Sequence, residues 1–385
     1  MQEVVVVSAV RSAVCRSGAG GFAAMRPDEL LAEVMKEALA RIPQIDWHEI
    51  DDVMIGCAAQ EGEQGLNLAR NAALTAGLPV TVPALTVNRF DISGFDAVLR
   101  GAESIRSGNA HLVLTGAVAS LTRVPLGGFN PSPSPRMMEL LPEALTLWGV
   151  SADYVAHRYN LSQEEQDAYT LESLRKAHEA WAQGNAMSEV VPVRAPSLDG
   201  KTQNVISRDE LMEIPTPGAL GKMPAKYLRN GTVTEGNSAG RADGAAVIVL
   251  MSAERAKAMG IPPMATLSAW SLVGVPPEHI ALGAAAAVNK LFKKTGKNIA
   301  DIGMLQVGEA FAVHPLVLKK ELAPPSSVAF NLRGGELATG SPTGAAGARQ
   351  LCTLVHILEE TSTPLGLMTD CGVGGLGAAL LVERK

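Results

Sequence analysis

Two short stretches carry the residue types from which an active site could be built. Cys371 follows the apolar run Leu365–Met368 and enters the turn Gly372-Val373-Gly374-Gly375-Leu376-Gly377. Backbone N–H groups of a glycine-rich turn can point into a cavity. A thiol there is a candidate for acid–base or nucleophilic work, and such a thiol should be alkylated faster than Cys15, Cys57 or Cys352. The alternative is a small buried core residue, the usual fate of a free Cys. Asp91 stands in Asn88-Arg89-Phe90-Asp91-Ile92-Ser93-Gly94, at the start of an apolar helix. Position alone favours an N-cap, a role that Asp fills well.

Two further patterns fail on context. Gly236-Asn237-Ser238-Ala239-Gly240 matches the serine-hydrolase nucleophile elbow, which needs a strand before the Ser and a helix after it. Turn residues flank it on both sides, so a Gly/Ser loop packed near a ligand is the better reading. Gly372–Gly377 matches GxGxxG, but no helix or βαβ unit follows. The four cysteines are scattered without a CxxC pair, which argues against a zinc site or a disulfide framework. No metal is expected, and the thiols fit a cytoplasmic protein.

These residues must be positioned by a large scaffold. The chain has 385 residues, 47% of them hydrophobic and 19% charged, the composition of a globular protein with more than one domain-sized unit. Its net charge of −6 argues against nucleic acid as a partner. No apolar run is long enough to span a membrane. Val4–Val7, Val53–Ile55 and Leu112–Leu114 read as short buried strands. Pro27–Ile42, Asn67–Ala76 and Asp91–Gly108 read as helices between them. The alternation predicts a mostly parallel sheet covered by helices. Residues 122–240 are richer in Pro and Gly and hold one clear helix, opened by Ser162-Gln163-Glu164-Glu165 and ending near Gly184. A long insertion of this kind usually carries function. Strands then return at Ala245–Leu250, Ala265–Val275, Met304–Val307, Leu365–Met368 and Ala378–Val382, with helices at Ser252–Met259, Ile280–Lys293 and Ser341–Glu360.

Seven motifs, in order over essentially the whole chain, resemble the thiolase family. Val7–Arg11 is similar to its opening strand. Ala84–Gly94 (ALTVNRFDISG) resembles TVNRFCSSG, and Trp148–Tyr159 with its capped helix resembles the MG-TAE-VA stretch. Gly231–Ala246 resembles GTVTAGNASGxNDGAA, Gly308–Ala312 resembles NEAFA, Gly334–Gly347 resembles GGAIALGHPxGASG, and Cys371–Gly377 resembles the closing CxGxGxG. The resemblance implies two similar βαβαβαββ halves in a layered α/β/α/β/α core. It places them at 1–121, completed by about 241–262, and at 263–385, with residues 122–240 as a loop domain.

In the family a Cys at a helix N-terminus takes the acyl group. A His and an Asn-held water form one oxyanion hole, and backbone N–H groups form another. A second Cys moves the proton. Carried over by position, the nucleophilic Cys falls on Asp91, the His on Ser341 and the Asn on Gly308, while the second Cys is kept as Cys371. The backbone donors fall on Asp91 and Val373. Contacts to coenzyme A fall on Met212, Ala219 and Ala239, and the His often found before MG falls on Leu147. His314, six residues after Gly308, is either a donor to the site or a packed or exposed helix residue.

The resemblance therefore implies an acyl-CoA-type ligand, with coenzyme A as substrate or ligand and no other cofactor, and a homodimer or tetramer. A carboxylate does not replace a thiolate in thiolysis, because an acyl-Asp is an anhydride and the better leaving group returns to start. Three readings follow: C–C cleavage by hydrolysis or retro-aldol chemistry with Asp91 as base, a silent subunit beside an active thiolase-like or acyl-CoA-binding partner, or an unusual acyltransferase.

Overall fold

The computed structural model describes residues 1–385. The first part of the chain forms β1 (Val4–Arg11), β2 (Cys15–Arg16), α1 (Pro27–Ala40), β3 (Asp52–Gly56), α2 (Leu68–Thr75), β4 (Ala84–Val87), α3 (Ser93–Ser107) and β5 (Leu112–Ser120). An intervening segment carries α4 (Pro135–Leu140), α5 (Trp148–Arg158), α6 (Gln163–Ala182), β6 (Val193–Pro196), β7 (Gln203–Ile206) and α7 (Pro217–Leu220). Then come β8 (Ala242–Ser252), α8 (Ala253–Ala258), β9 (Ala265–Gly274), α9 (Leu282–Thr295), β10 (Met304–Val307) and α10 (Val313–Leu322). The chain ends with β11 (Ala329–Phe330), α11 (Glu336–Thr339), α12 (Ala346–Thr361), β12 (Leu365–Gly372) and β13 (Leu376–Arg384).

Local chemistry sets many of these boundaries. Pro27 opens α1, where its missing N–H costs nothing. Ser162 and Glu165 close a reciprocal capping box on α6. Gly108 and Gly296 end α3 and α9 in the left-handed conformation that favours glycine.

The main sheet runs β11-β10-β12-β13-β9-β1-β8-β5-β3-β4. Apart from β2, which pairs with β8 alone, it consists of two similar sets of five strands. In chain order within each set, the spatial order is third, second, fourth, fifth, first: β4-β3-β5-β8-β1 and β11-β10-β12-β13-β9. The sets meet through two residue pairs only, Val5 with Thr266 and Val6 with Ala265. Pairing directions repeat as well. β3 is parallel to β4 and β5, and β10 is parallel to β11 and β12. β8 and β13 are antiparallel to both of their neighbours within each set.

The sheet is thus mixed, and the expectation of a mostly parallel one is corrected. The β12–β13 connection is too short for a crossover, which forces an antiparallel hairpin. The intervening segment also holds more than one helix, with α5 and the β6–β7 hairpin beside α6.

Three apolar clusters define the layers. α1 and α2 pack on the outer face of the first set. α3 and α12 lie in the middle and contribute to one cluster with strands of both sets. α9 and α10 cover the outer face of the second set. This is the expected α/β/α/β/α layering. A buried ion cluster ties the intervening segment to the core. The Arg11 guanidinium meets Glu189 and Asp209 at 2.8 Å each, and Trp181 Nε1 donates to Asp209 at 3.1 Å.

Candidate active site

Asp91 lies two residues before the first residue of α3, and the cap expectation is corrected. Ile92 occupies the N-cap position and gives no side-chain cap. Gly94 N donates instead to Gly344 O at 2.8 Å, so the loop before α12 satisfies that donor. The preceding residue, Phe90, is held at φ 47°, unusual for a non-glycine residue. Its N–H donates to Asn88 Oδ1 (2.9 Å), and its carbonyl accepts from Ser93 Oγ (2.5 Å). This fixed turn delivers the Asp91 carboxylate to the β12–β13 hairpin. There Oδ2 accepts from Val373 N at 2.7 Å. A Cβ at residue 372 would stand 3.1 Å from that oxygen, which is why glycine suits the approach.

Asp91 is only 5% exposed. Burial pushes its carboxyl up to about 6, and Glu336 adds to the rise while the Val373 N–H opposes it. The backbone donor that the sequence reading assigned to a substrate oxygen at Val373 is here engaged by Asp91 itself.

Cys371 is 1% exposed, and its Sγ lies 3.6 Å from His314 Nδ1. Burial lowers the His314 imidazole to about 3. Burial also raises the Cys371 thiol, followed by repulsion from Asp370, Asp91 and Glu336. Both groups are therefore neutral near pH 7. The thiol then donates to Nδ1, and the remaining proton sits on Nε2. That Nε2 has no partner, and neither does Trp148 Nε1 on the adjoining ring, 5.6 Å between centroids. The structure thus joins His314 to Cys371 across 57 residues.

Gly308 follows β10 directly beside β12. A side chain at 308 would collide with the Asp370 carboxyl, so Asp370 fills the space that glycine leaves. Alternation along β12 turns Asp370 toward α12 and Cys371 toward α10. Asp370 Oδ1 accepts from Cys371 N at 2.8 Å, and Oδ2 accepts from Gln350 Nε2 at 3.2 Å. Ser341 is buried and donates to Glu336 Oε1 at 2.5 Å, and Glu336 Oε2 accepts from Glu309 N at 2.7 Å. Ser341 precedes α12 by several residues, which corrects the helix start expected at that position. Burial holds the Asp370 carboxyl well above the usual range, with Glu336 and then Asp91 as the repelling charges.

Asp370, Glu336 and Gln350 escaped the sequence reading. A visible signal did exist: Asp370 interrupts the apolar run that becomes β12, and buried acids of that kind need a partner or a proton.

The remaining residues lie around this centre. Ala239 N donates to Ala310 O at 2.9 Å, beside the segment that starts at Gly308. Met212 N donates to Ala338 O at 2.8 Å on α11, the helix of Glu336. Ala219 sits exposed in α7, its N–H capped by Thr216. Leu147 is exposed at the start of α5. Ser238 donates to Thr234 O at 2.6 Å in a loop without the strand–helix context of a nucleophile. The carboxyls do not converge on a point that a metal ion could fill.

This constellation sits on a scaffold with close relatives. Residues 4–254 match the family model "Thiolase, N-terminal domain", and residues 261–384 match "Thiolase, C-terminal domain". The chain is 36% identical to a 3-ketoacyl-CoA thiolase of Bacillus subtilis (strain 168), over all of both chains. It is 38% identical to a beta-ketoadipyl-CoA thiolase of Pseudomonas knackmussii, covering 100% of this chain and 99% of that one. The acetyl-CoA acetyltransferase of Bacillus anthracis superposes with a TM-score of 0.91 at 32% identity, over 100% and 99% of the two chains. With both halves matched and the strand order repeated, this chain belongs to the thiolase family.

Proposed function

We propose that this protein cleaves the C2–C3 bond of a 3-oxoacyl-CoA without thiolysis, using Asp91 as general base and Cys371 as general acid. The observation that carries the reading is the buried Asp91 carboxylate, tuned to about 6 and held on the same hairpin as the neutral Cys371 thiol. A base titrating just below neutrality is ionised at pH 7 and still accepts a proton readily.

In the hydrolytic form, Asp91 takes a proton from water as the oxygen attacks C3. The tetrahedral alkoxide collapses, the C2–C3 bond breaks, and its electron pair stays on C2 of the departing acetyl-CoA carbanion. Cys371 protonates that carbon. The carbanion is a far stronger base than a thiolate, so a thiol with a raised pKa still serves. Asp91 then returns its proton to the thiolate, and the products are a carboxylic acid and acetyl-CoA. In the retro-aldol form the same base takes the proton of a 3-hydroxyl group. The reading places coenzyme A against Met212, Ala219 and Ala239, and the protein as a cytoplasmic homodimer or tetramer.

A second reading has one observation in its favour. Asp91 occupies the Val373 N–H that a substrate oxygen would need. A silent subunit, working with an active partner, tolerates that arrangement.

Incubation of purified protein with 3-oxoacyl-CoA in oxygen-18 water, without free coenzyme A, separates the readings. Label in the released acid, absent from Asp91→Asn, is the expected result. Cleavage that requires added coenzyme A would overturn the proposal and return the chain to ordinary thiolysis. Binding without turnover would favour the silent subunit.

A further inference from the structure

Asp370 is the best-held group at the centre of the site, and the mechanism above leaves it idle. Its carboxyl fills the slot beside Gly308, is gripped by the N–H of Cys371, and shares Gln350 with Glu336. The groups that face it carry no positive charge. Asp91 approaches from the loop before α3, Glu336 from α11, and Gln350 from α12. Cys371 adjoins it on β12, with His314 neutral beyond the thiol and Glu309 behind Glu336. Three carboxyls packed without a cation cannot all ionise, because the interior does not solvate them. One must keep its proton, and Asp370 has the burial and the two repelling neighbours to be that one. Gln350 Nε2 donates to Asp370 Oδ2, a bond that a protonated carboxyl accepts through its carbonyl oxygen.

We propose that the Asp370 carboxyl, in its protonated form, donates its O–H to the substrate oxygen that becomes negative during C–C cleavage. This rests on the cleavage reading above. A carboxyl kept neutral by its surroundings is a strong, fixed donor to an oxyanion. The proton stays on Asp370 throughout, so the step changes no atom balance. Asp370 thereby supplies a side-chain donor at a place where neither Gly308 nor Ser341 offers one, since Ser341 is committed to Glu336.

The test compares full-length wild type, Asp370→Asn and Asp370→Leu. Asn keeps a neutral N–H donor, and Leu keeps only volume. Coenzyme-A-independent cleavage is followed against pH, and infrared difference spectra between neutral and alkaline solution report protonated carboxyl groups. In wild type, kcat should fall on the alkaline side as Asp370 ionises. Asp370→Asn should retain about a tenth or more of the wild-type kcat and lose that alkaline fall, while Asp370→Leu should lose about 10²–10³ in kcat with KM little changed. The infrared band of a protonated carboxyl at neutral pH should be present in wild type and missing from Asp370→Asn. Asp370→Asn as inactive as Asp370→Leu, or Asp370→Leu as active as wild type, would overturn the assignment. So would the absence of the infrared difference. Should wild type cleave nothing, the cleavage reading falls on its own, and the infrared comparison still decides whether Asp370 holds a proton.

Discussion

The Asp91 carboxyl titrates near 6 in the folded chain, against about 3.9 for an unperturbed Asp. The folded state therefore binds its proton more tightly than the unfolded state. Stability falls as pH rises between those two values, and a constant deficit remains above the higher one. Two units correspond to roughly 2–3 kcal/mol. Asp91→Asn keeps an acceptor for Val373 N and removes the charge. Urea unfolding should find wild type and variant alike near pH 4, with the variant more stable by on the order of 2–3 kcal/mol near pH 7.5. A wild type that gains on the variant with rising pH would mean the surroundings favour the carboxylate. Cleavage, by contrast, should rise through pH 6 as the base ionises, so stability and activity change in opposite directions.

The cysteines reverse a sequence expectation at the same scale. All four are buried, and burial raises every thiol, Cys57 to about 12. Cys371 is raised further by the carboxyls packed around it. Rapid alkylation of Cys371 is no longer expected, since the thiolate is the reacting form. Iodoacetamide on native protein, read by mass spectrometry, should leave all four nearly unmodified until denaturant is added. Fast, selective labelling of Cys371 would show that the thiol is solvated and ionised.

At the scale of elements, the key junction is β10 against β12. Restoring a thiolase-like set with Asp91→Cys, Gly308→Asn and Ser341→His is an incomplete experiment, because Asp370 occupies the space beside Gly308. Gly308→Asn alone should lose about 1–3 kcal/mol in chemical denaturation through overpacking. Combined with Asp370→Ala, most of that loss should return, since the two positions compete for one volume. Additive losses in the double variant would mean that the two side chains do not share the slot. The restored enzyme should accordingly be built with four changes before its acetyl transfer from acetyl-CoA is measured.

For the whole molecule, the sheet leaves two edges, β4 and β11. β11 is two residues long, whereas β4 spans four and carries Leu85 half exposed. A partly buried edge with an exposed Leu invites pairing with a second copy across a two-fold axis. Light scattering should therefore find a dimer or a multiple of one, and Leu85→Lys should shift it toward monomer. A wild-type monomer at micromolar concentration would sink the edge-pairing proposal.

Much of this scaffold was legible in the residues alone. Buried strands such as Val4–Val7 and Leu112–Leu114 are continuous apolar runs, and α1 and α6 announce themselves by apolar spacing, by Pro27 at the start of α1 and by the capping box of α6. Such signals are local, so one segment suffices to read them. Resemblance over seven motifs then supplied the layering and the positions Asp91, Gly308, Ser341 and Cys371. Strand direction was misread, because parallel and antiparallel pairings depend on which segments meet rather than on either segment's composition. The pairing of Cys371 with His314, the capture of Val373 N by Asp91 and the placement of Asp370 in the slot beside Gly308 likewise belong to the tertiary structure. Each joins groups brought together only when β10, β12, α10, α11 and α12 pack around the turn before α3. Charge and hydrogen-bond state follow from that burial, which no single segment of the sequence expresses.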